Sequence, residues 1–357
     1  DVELSAQHPP LTGTRLRSAL VDIGDDLIPG VTIGRREGRG LTTFLVGDTP
    51  VDAATPALRV SGDDWSFEIG VADALPGWRW AASLPFGALA GAAGAAGEAI
   101  RLAVPVLADK LGVALSAGAH RLSVDAPLKV DLRDYYPAID PRQIDLGTID
   151  MISGGAITNA ALYVLLLVPR LKADARVIES DRLDLSNLNR YMLGRHSHDK
   201  QAKSQILESY NTSHFKIGGV SARYEEDTRS QLGPLRKRVL VGVDHIPSRW
   251  LTQREAMGWV GVGSTQSVEV LVSAHDPGTP CAGCLHPREI RVDPEAPTIS
   301  VVSFWAGLLL ALELLCDAAG AKPTTPVIAF WPRSASMRLS SDVISASVNK
   351  TSAQTAT

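Results

Sequence analysis

From residue 148 onward, short, largely apolar runs alternate with longer segments whose apolar residues recur at helical spacing. Thr148–Ile152, Ala175–Ile178, Val239–Val243, Trp259–Val262 and Val268–Val272 read as strands, and a last one is expected at Val327–Trp331. Short, largely apolar runs bounded by turn residues suit strands. Between them, Ala156–Val168, Asp199–Tyr210 and a segment starting near Ser248 read as helices. Strands alternating with helices imply βαβ units. The expected fold class is therefore α/β: a Rossmann-like, mostly parallel sheet flanked by helices, with ligands at the carboxyl ends of its strands.

The first part of the chain has a different texture. Residues 1–145 are rich in Ala and Gly, with candidate strands at Thr42–Val46 and Trp65–Ile69 and a helix at Phe86–Leu107, which reads as an α+β region. The polar segment Asp131–Leu146, with two prolines, reads as a linker. Three regions follow: 1–145, a second domain at 146–335, and a tail at 336–357. Its Ser/Thr/Ala-rich end, Ser340–Thr357, is expected to be disordered. An apolar helix carrying a Glu occurs twice, as Pro85…Gly91…Glu98 and Ser303…Gly307…Glu313. Residues 1–145 are then either a degenerate second half or a partner-binding region whose helix is unrelated. The apolar stretches Ala160–Val168 and Val301–Leu315 fall short of the ~20 residues that a membrane-spanning helix needs and read as buried helices.

Composition narrows the classes. At 357 residues, 45% hydrophobic and 21% charged, the chain is ordinary globular material for one large or two smaller domains. A net charge of −4 gives no electrostatic reason to expect nucleic acid or an anionic membrane as partner. Three cysteines make no disulfide framework, which points to a reducing compartment. No basic stretch followed by an apolar one opens the chain, so a soluble cytoplasmic protein is expected.

Candidate chemistry begins at the turn Ser153-Gly154-Gly155-Ala156-Ile157-Thr158-Asn159. Small residues there allow backbone N–H groups at a helix start to approach phosphates, or simply let strand and helix pack tightly. At the end of the second strand stands Glu179-Ser180-Asp181. Such an acid accepts hydrogen bonds from a ribose hydroxyl pair, or caps its own turn. Next come Asp184-Leu185-Ser186-Asn187-Leu188-Asn189-Arg190 and then Lys203. A strand ending in an acid, followed by S-N-L-N-R and a later lysine, resembles the adenylation domain shared by the ThiF, MoeB, HesA and ubiquitin-activating family. The likeness runs from Thr148 to roughly Trp331.

The resemblance implies an ATP-dependent adenylyltransferase. A ubiquitin-like or sulfur-carrier protein, or a substrate peptide, would present a C-terminal carboxylate to the α-phosphorus, giving an acyl-adenylate and pyrophosphate. It implies nucleotide contact at Gly154 and Gly155, ribose binding by Asp181, and phosphate binding by Asn187, Arg190 and Lys203. Asp244 would hold Mg²⁺, making Arg190, Lys203 and Asp244 the catalytic set. Around Asp244, His245 stands where the family has Asn, and Arg249 is either a site residue or a surface helix residue. Cys281 and Cys284 occupy the place of half a structural zinc site. Such a site needs four ligands, and only His286 offers a third, so Zn²⁺ and a metal-free remnant both stay open. Pro297–Ser303, where thioester-forming relatives carry a cysteine, has none, and Cys316 reads as a core residue. No thioester on this chain is expected.

Two features depart from the family. Of its Gly-x-Gly-Gly-x-Gly turn only Gly155 stays in register. The arginine that relatives receive from a partner subunit has four candidates here, Arg15, Arg17, Arg35 and Arg36, so a homodimer or an intrachain pseudo-dimer is implied. Two other readings remain. One is a catalytically degenerate scaffold that binds a partner. The other is a nicotinamide-dependent oxidoreductase, which leaves the S-N-L-N-R…Lys string unexplained.

Overall fold

The computed structural model describes residues 15–27, 41–50, 57–77, 80, 82–112, 127–266, 269–277, 281–285, 300–323, 327–330 and 339–340. The expected tail after Ser340, together with Arg35, Arg36, His286 and residues 297–299, lies outside them. The chain divides into two units, one of them Arg36–Tyr135 with Phe330–Ser340 and the other holding the rest.

Helix α1 (Leu16–Leu27) belongs to the larger unit. The smaller unit is a sheet of β1 (Thr43–Val46), β2 (Ala57–Gly62), β3 (Ser66–Val71) and β4 (Leu128–Asp131), in that order, with α2 (Phe86–Leu111) across β2 and β3. Only β1 and β2 pair in parallel. The boundary between the two units, at Tyr135/Tyr136, falls inside the proposed linker Asp131–Leu146. Leu132 and Tyr136 are fully buried, and two 3-10 turns, Leu132–Asp134 and Pro141–Gln143, are each capped by an aspartate, Asp131 or Asp140, accepting a backbone N–H. The polar residues that suggested a loose connection are the caps of tight turns.

The larger unit bears out the α/β expectation. Its elements are β5 (Asp145–Ile152), α3 (Ala156–Leu167), β6 (Lys172–Ile178), α4 (Lys203–Glu208), β7 (Phe215–Val220) and α5 (Arg229–Leu232). Then follow β8 (Arg238–Val241), α6 (Ile246–Glu255), β9 (Trp259–Gln266), β10 (Glu269–His275), α7 (Ala282–Leu285), α8 (Ser300–Ala318) and β11 (Val327–Phe330). The strand order is β11-β10-β9-β8-β5-β6-β7. Strands β5 to β9 pair in parallel, and β10 returns antiparallel to β9. The chain builds outward one way through β6 and β7, then the other way through β8 and β9. The switch between β5 and β8 leaves a crevice at their carboxyl ends, where open α/β sheets take ligands.

Burial explains the apolar runs. Val239, Leu240 and Val241 of β8 are all fully buried, because both faces of a central parallel strand are covered. On one face Ile152, Ile178, Val239, Val241, Val260 and Val262 pack with Leu251 of α6. On the other, α8 lies against α3, β9 and β10. Helix α8 is 19 residues long with Val301 to Cys316 buried throughout. By length and composition alone, α8 and α2 could each cross a membrane, which corrects the expected shortfall at 301–315. With 89% of its most apolar window buried, α8 is the buried helix expected at 301–315.

Candidate functional site

The crevice begins where β5 ends. Ser153 donates its N–H to Ile178 O at 3.0 Å and turns the chain at φ 83°, a conformation that costs a residue with a Cβ about 1–2 kcal/mol. Its side chain offsets part of that. Ser153 Oγ accepts the Gly155 N–H at 2.9 Å and donates to Glu179 Oε2 at 3.2 Å. Glu179, at the end of β6 and 8% exposed, also accepts the Gly154 N–H at 2.7 Å and, through Oε1, the Asp181 N–H at 2.8 Å. The N–H groups of Gly154 and Gly155 therefore already have internal acceptors. The expected nucleotide contact at Gly154 and Gly155 would have to compete with these acceptors. The first-turn N–H groups of α3, on Ala156, Ile157 and Thr158, have no intrahelical acceptor and form the positive end of a 12-residue helix.

A closed loop carries the cations. Leu183 N–H bonds Gln201 O and Lys200 N–H bonds Leu183 O, both at 2.8 Å, so residues 183–201 leave and return at one point. Lys203, the first residue of α4, follows at once, its N–H on Asp181 O at 2.9 Å. The Lys203 side chain is buried, with Nζ 3.6 Å from Asp181 Oδ2 and 5.2 Å from the centroid of the Tyr191 ring. Burial alone pulls this ammonium's pKa down, but Tyr191, Glu179 and Asp181 outweigh it and leave the pKa above its usual value. Asp181 is half exposed and also faces Arg223, which lies 3.5 Å from Oδ1 and donates to Ser180 Oγ at 3.1 Å.

Asn187 and Arg190 are placed on the same loop but differently occupied. Asn187 Oδ1 accepts the Asp184 N–H at 3.2 Å, and Asp184 accepts the Ser186 N–H in return, a capping box on a 3-10 turn. The Asp184 carboxylate pairs with Lys200, which holds its pKa well below the usual range. Arg190 Nη1 donates to Ser186 O at 3.0 Å and Asn189 Oδ1 at 2.9 Å, so its guanidinium rests on its own loop. Asn159 of α3 anchors that loop by accepting the Leu193 N–H at 3.0 Å.

Across the crevice, Asp244 follows β8 and is exposed. Arg249 on α6 is only 6% exposed, which removes the surface-helix alternative. Its Nε donates to Val243 O at 2.7 Å, and burial lowers the guanidinium pKa to about 10 against the pull of Asp244. His245 Nδ1 lies 2.9 Å from Ser248 Oγ at the start of α6. Glu179 and Tyr191 were not picked out as site residues. Glu179 opens one quoted motif and Tyr191 directly follows another, and their burial is the feature that pattern alone did not show.

The outlying candidates separate from this crevice. Cys281 is exposed, Cys284 lies in α7 with its side chain outside the described residues, and His286 lies outside them too. Among the described residues, no group of three or more His, Cys, Asp or Glu is placed to hold a metal ion. Cys316 is fully buried in α8, its thiol pushed up to about 12 chiefly by burial, so it is no nucleophile at neutral pH. Arg15 and Arg17 stand at the start of α1.

No family model matches the chain. The uncharacterized protein y4jF of Sinorhizobium fredii is 26% identical over 276 residues, covering 75% of this chain and 51% of that protein. The chain thus spans about half the length of the curated relative it matches. Among solved structures, E. coli MccB with succinimide aligns at a TM-score of 0.47 and 15% identity, covering 56% of this chain and 64% of that one. E. coli MccB with ATP aligns at 0.45 and 14%, covering the same shares. PaaA aligns at 0.41 and 13%, covering 56% of this chain and 73% of that one. At such scores the α/β assignment rests on this chain's own strand order.

Proposed function

We propose that this chain adenylates a C-terminal carboxylate with ATP, the substrate being a peptide or a ubiquitin-like or sulfur-carrier protein, and forms no thioester on itself. The observation that carries the reading is the buried Lys203 ammonium, paired with Asp181 beside the start of α3 at a topological switch point. A buried cation next to uncompensated helix N–H groups suits a polyphosphate.

In this reading Asp181 takes the ribose, while Lys203, Arg190 and the first turn of α3 take the phosphates. The capping bond of Asn187 makes it a support of the loop, with phosphate contact as a further role. An oxygen of the substrate carboxylate attacks the α-phosphorus, the bond from that phosphorus to the β-phosphate oxygen breaks, and pyrophosphate leaves with the electron pair. No proton need move, so the chain's task is positioning and charge stabilisation. Asp244 suits Mg²⁺, since an exposed carboxylate leaves room for waters and phosphate oxygens in an octahedral shell. When bound, Mg²⁺ would neutralise developing phosphate charge.

One observation favours a second reading, a scaffold that no longer turns over. The N–H groups of Gly154 and Gly155 are occupied from within. Isotopic pyrophosphate exchange into ATP decides, run with Mg²⁺ and a panel of peptides bearing free C-termini. Peptide-dependent exchange, lost in Lys203→Ala and in Asp244→Ala with unchanged melting curves, supports adenylation. Neither exchange nor ATP binding by the native chain leaves the scaffold.

A further inference from the structure

We infer that Tyr191 is a pyrophosphate-binding residue of this site, its hydroxyl donating to a phosphate oxygen while its ring seats Lys203. The inference deepens the adenylation reading and shares its anion site. Three observations converge. The Lys203 ammonium lies 5.2 Å from the ring centroid, and with side chains this buried the cation–π contact is largely desolvated. The hydroxyl oxygen lies 4.0 Å from where a Cβ on Gly155 would stand, and Gly242 O lies 3.9 Å from the same point. The phenol thus faces the N-cap of α3 and the end of β8, where the open N–H groups are.

The third observation is one of donors and acceptors. The Lys203 ammonium lies over the Tyr191 ring and can only donate, so it offers no acceptor to the phenol. The phenol proton remains to be given elsewhere. Among the described residues no acceptor of that proton is found. Burial, aided by Glu179 and opposed by Lys203 and Arg190, raises the phenol's pKa, so the proton stays on throughout the working range. Leu183, Leu188 and Ile206 hold the ring, with Leu27 packed against them. The hydroxyl is aimed before any ligand arrives. A protonated phenol, an ammonium and a helix N-terminus converging on one spot suit a compact polyanion.

The ring and hydroxyl roles separate by substitution. Tyr191→Phe keeps the ring over Lys203 and removes only the donor; Tyr191→Leu removes both. The probe is inorganic pyrophosphate, titrated calorimetrically into the full chain, with thermal melting to check folding and pyrophosphate exchange run alongside. Tyr191→Phe should weaken pyrophosphate binding about tenfold, ~1.4 kcal/mol, at an unchanged melting temperature. Tyr191→Leu should weaken it further by at least another tenfold. Native-like affinity in the Phe variant overturns the hydroxyl role, and native-like affinity in the Leu variant overturns the ring role. A native chain that does not bind pyrophosphate overturns the site. A native chain that binds pyrophosphate through Tyr191 without peptide-dependent exchange supports this inference and removes only the adenylation reading.

Discussion

Replacing Glu179 should destabilise the turn through several hydrogen bonds at once. Its carboxylate takes the Gly154 N–H at 2.7 Å, the Asp181 N–H at 2.8 Å and the Ser153 hydroxyl at 3.2 Å. In Glu179→Ala the buried Gly154 N–H loses its acceptor, at about 1–3 kcal/mol, whereas the Asp181 N–H lies beside an exposed side chain where water can replace the carboxylate. Ser153, at φ 83°, loses a partner that helps to hold it there, and strain of this kind persists only while the surroundings impose it. The sum is about 3 kcal/mol. Glu179→Gln is the sharper test. One amide oxygen can serve Gly154 or Asp181 but not both, and its NH₂ then faces a donor, so a loss of about 2 kcal/mol is expected. Urea unfolding at pH 7 with an unchanged m-value measures it, and hydrogen exchange at the Gly154 amide locates it. A Gln variant within about 0.5 kcal/mol of the native chain, with Gly154 still protected, would refute the claim that a carboxylate holds this turn.

Glu313 in α8 should make stability fall as pH rises. Burial raises its carboxyl to about 8, with the Tyr136 hydroxyl opposing, so the folded chain keeps a proton that the unfolded chain has released. The stabilisation is whole below the ordinary value of 4.5 and is lost through about 8; urea titrations across that window should show the slope, and Glu313→Gln should flatten it. Gly307 should not accept a methyl group. An added Cβ would lie 2.5 Å from Ala160 Cβ and 2.6 Å from Ile157 O on α3, so Gly307→Ala should lose about 2 kcal/mol by thermal or urea unfolding despite alanine's better helix propensity. A variant as stable as the native chain would mean that α3 and α8 pack less closely than this.

What could be read ahead of the structure was whatever one segment signals alone. The central strands β5, β6 and β8 each end in a buried, largely apolar run and announced themselves. Strand β7 did not, because Phe215–Val220 includes Gly218 and Gly219, which thin its apolar signal. Gly219 is a packing requirement: a Cβ there would lie 2.5 Å from Ser204 O at the start of α4. The α4 helix was expected over Asp199–Tyr210 and covers only Lys203–Glu208, since residues 196–198 turn as a 3-10 helix before it. The charged residues of the site were legible because their types and spacing are unusual. Which of them converge was not, because the closure of loop 183–201 depends on backbone bonds between Leu183, Lys200 and Gln201 that no side-chain pattern encodes.

That closure also changes what the missing glycines mean. A turn of four glycines can offer bare N–H groups to phosphate; here Glu179 and Ser153 occupy the two that Gly154 and Gly155 provide. A fixed internal carboxylate where phosphate would otherwise lie repels phosphate from the turn itself. The same carboxylate helps to keep the Lys203 ammonium charged despite its burial. The two effects act in opposite directions on a nucleotide, and the geometry separates them in space. In the proposed reading, anion binding would shift from the turn toward the first turn of α3, Lys203 and Tyr191, leaving Asp181 for the sugar. Glu179 would then both occupy the turn in place of phosphate and support the charge of the cation beside it.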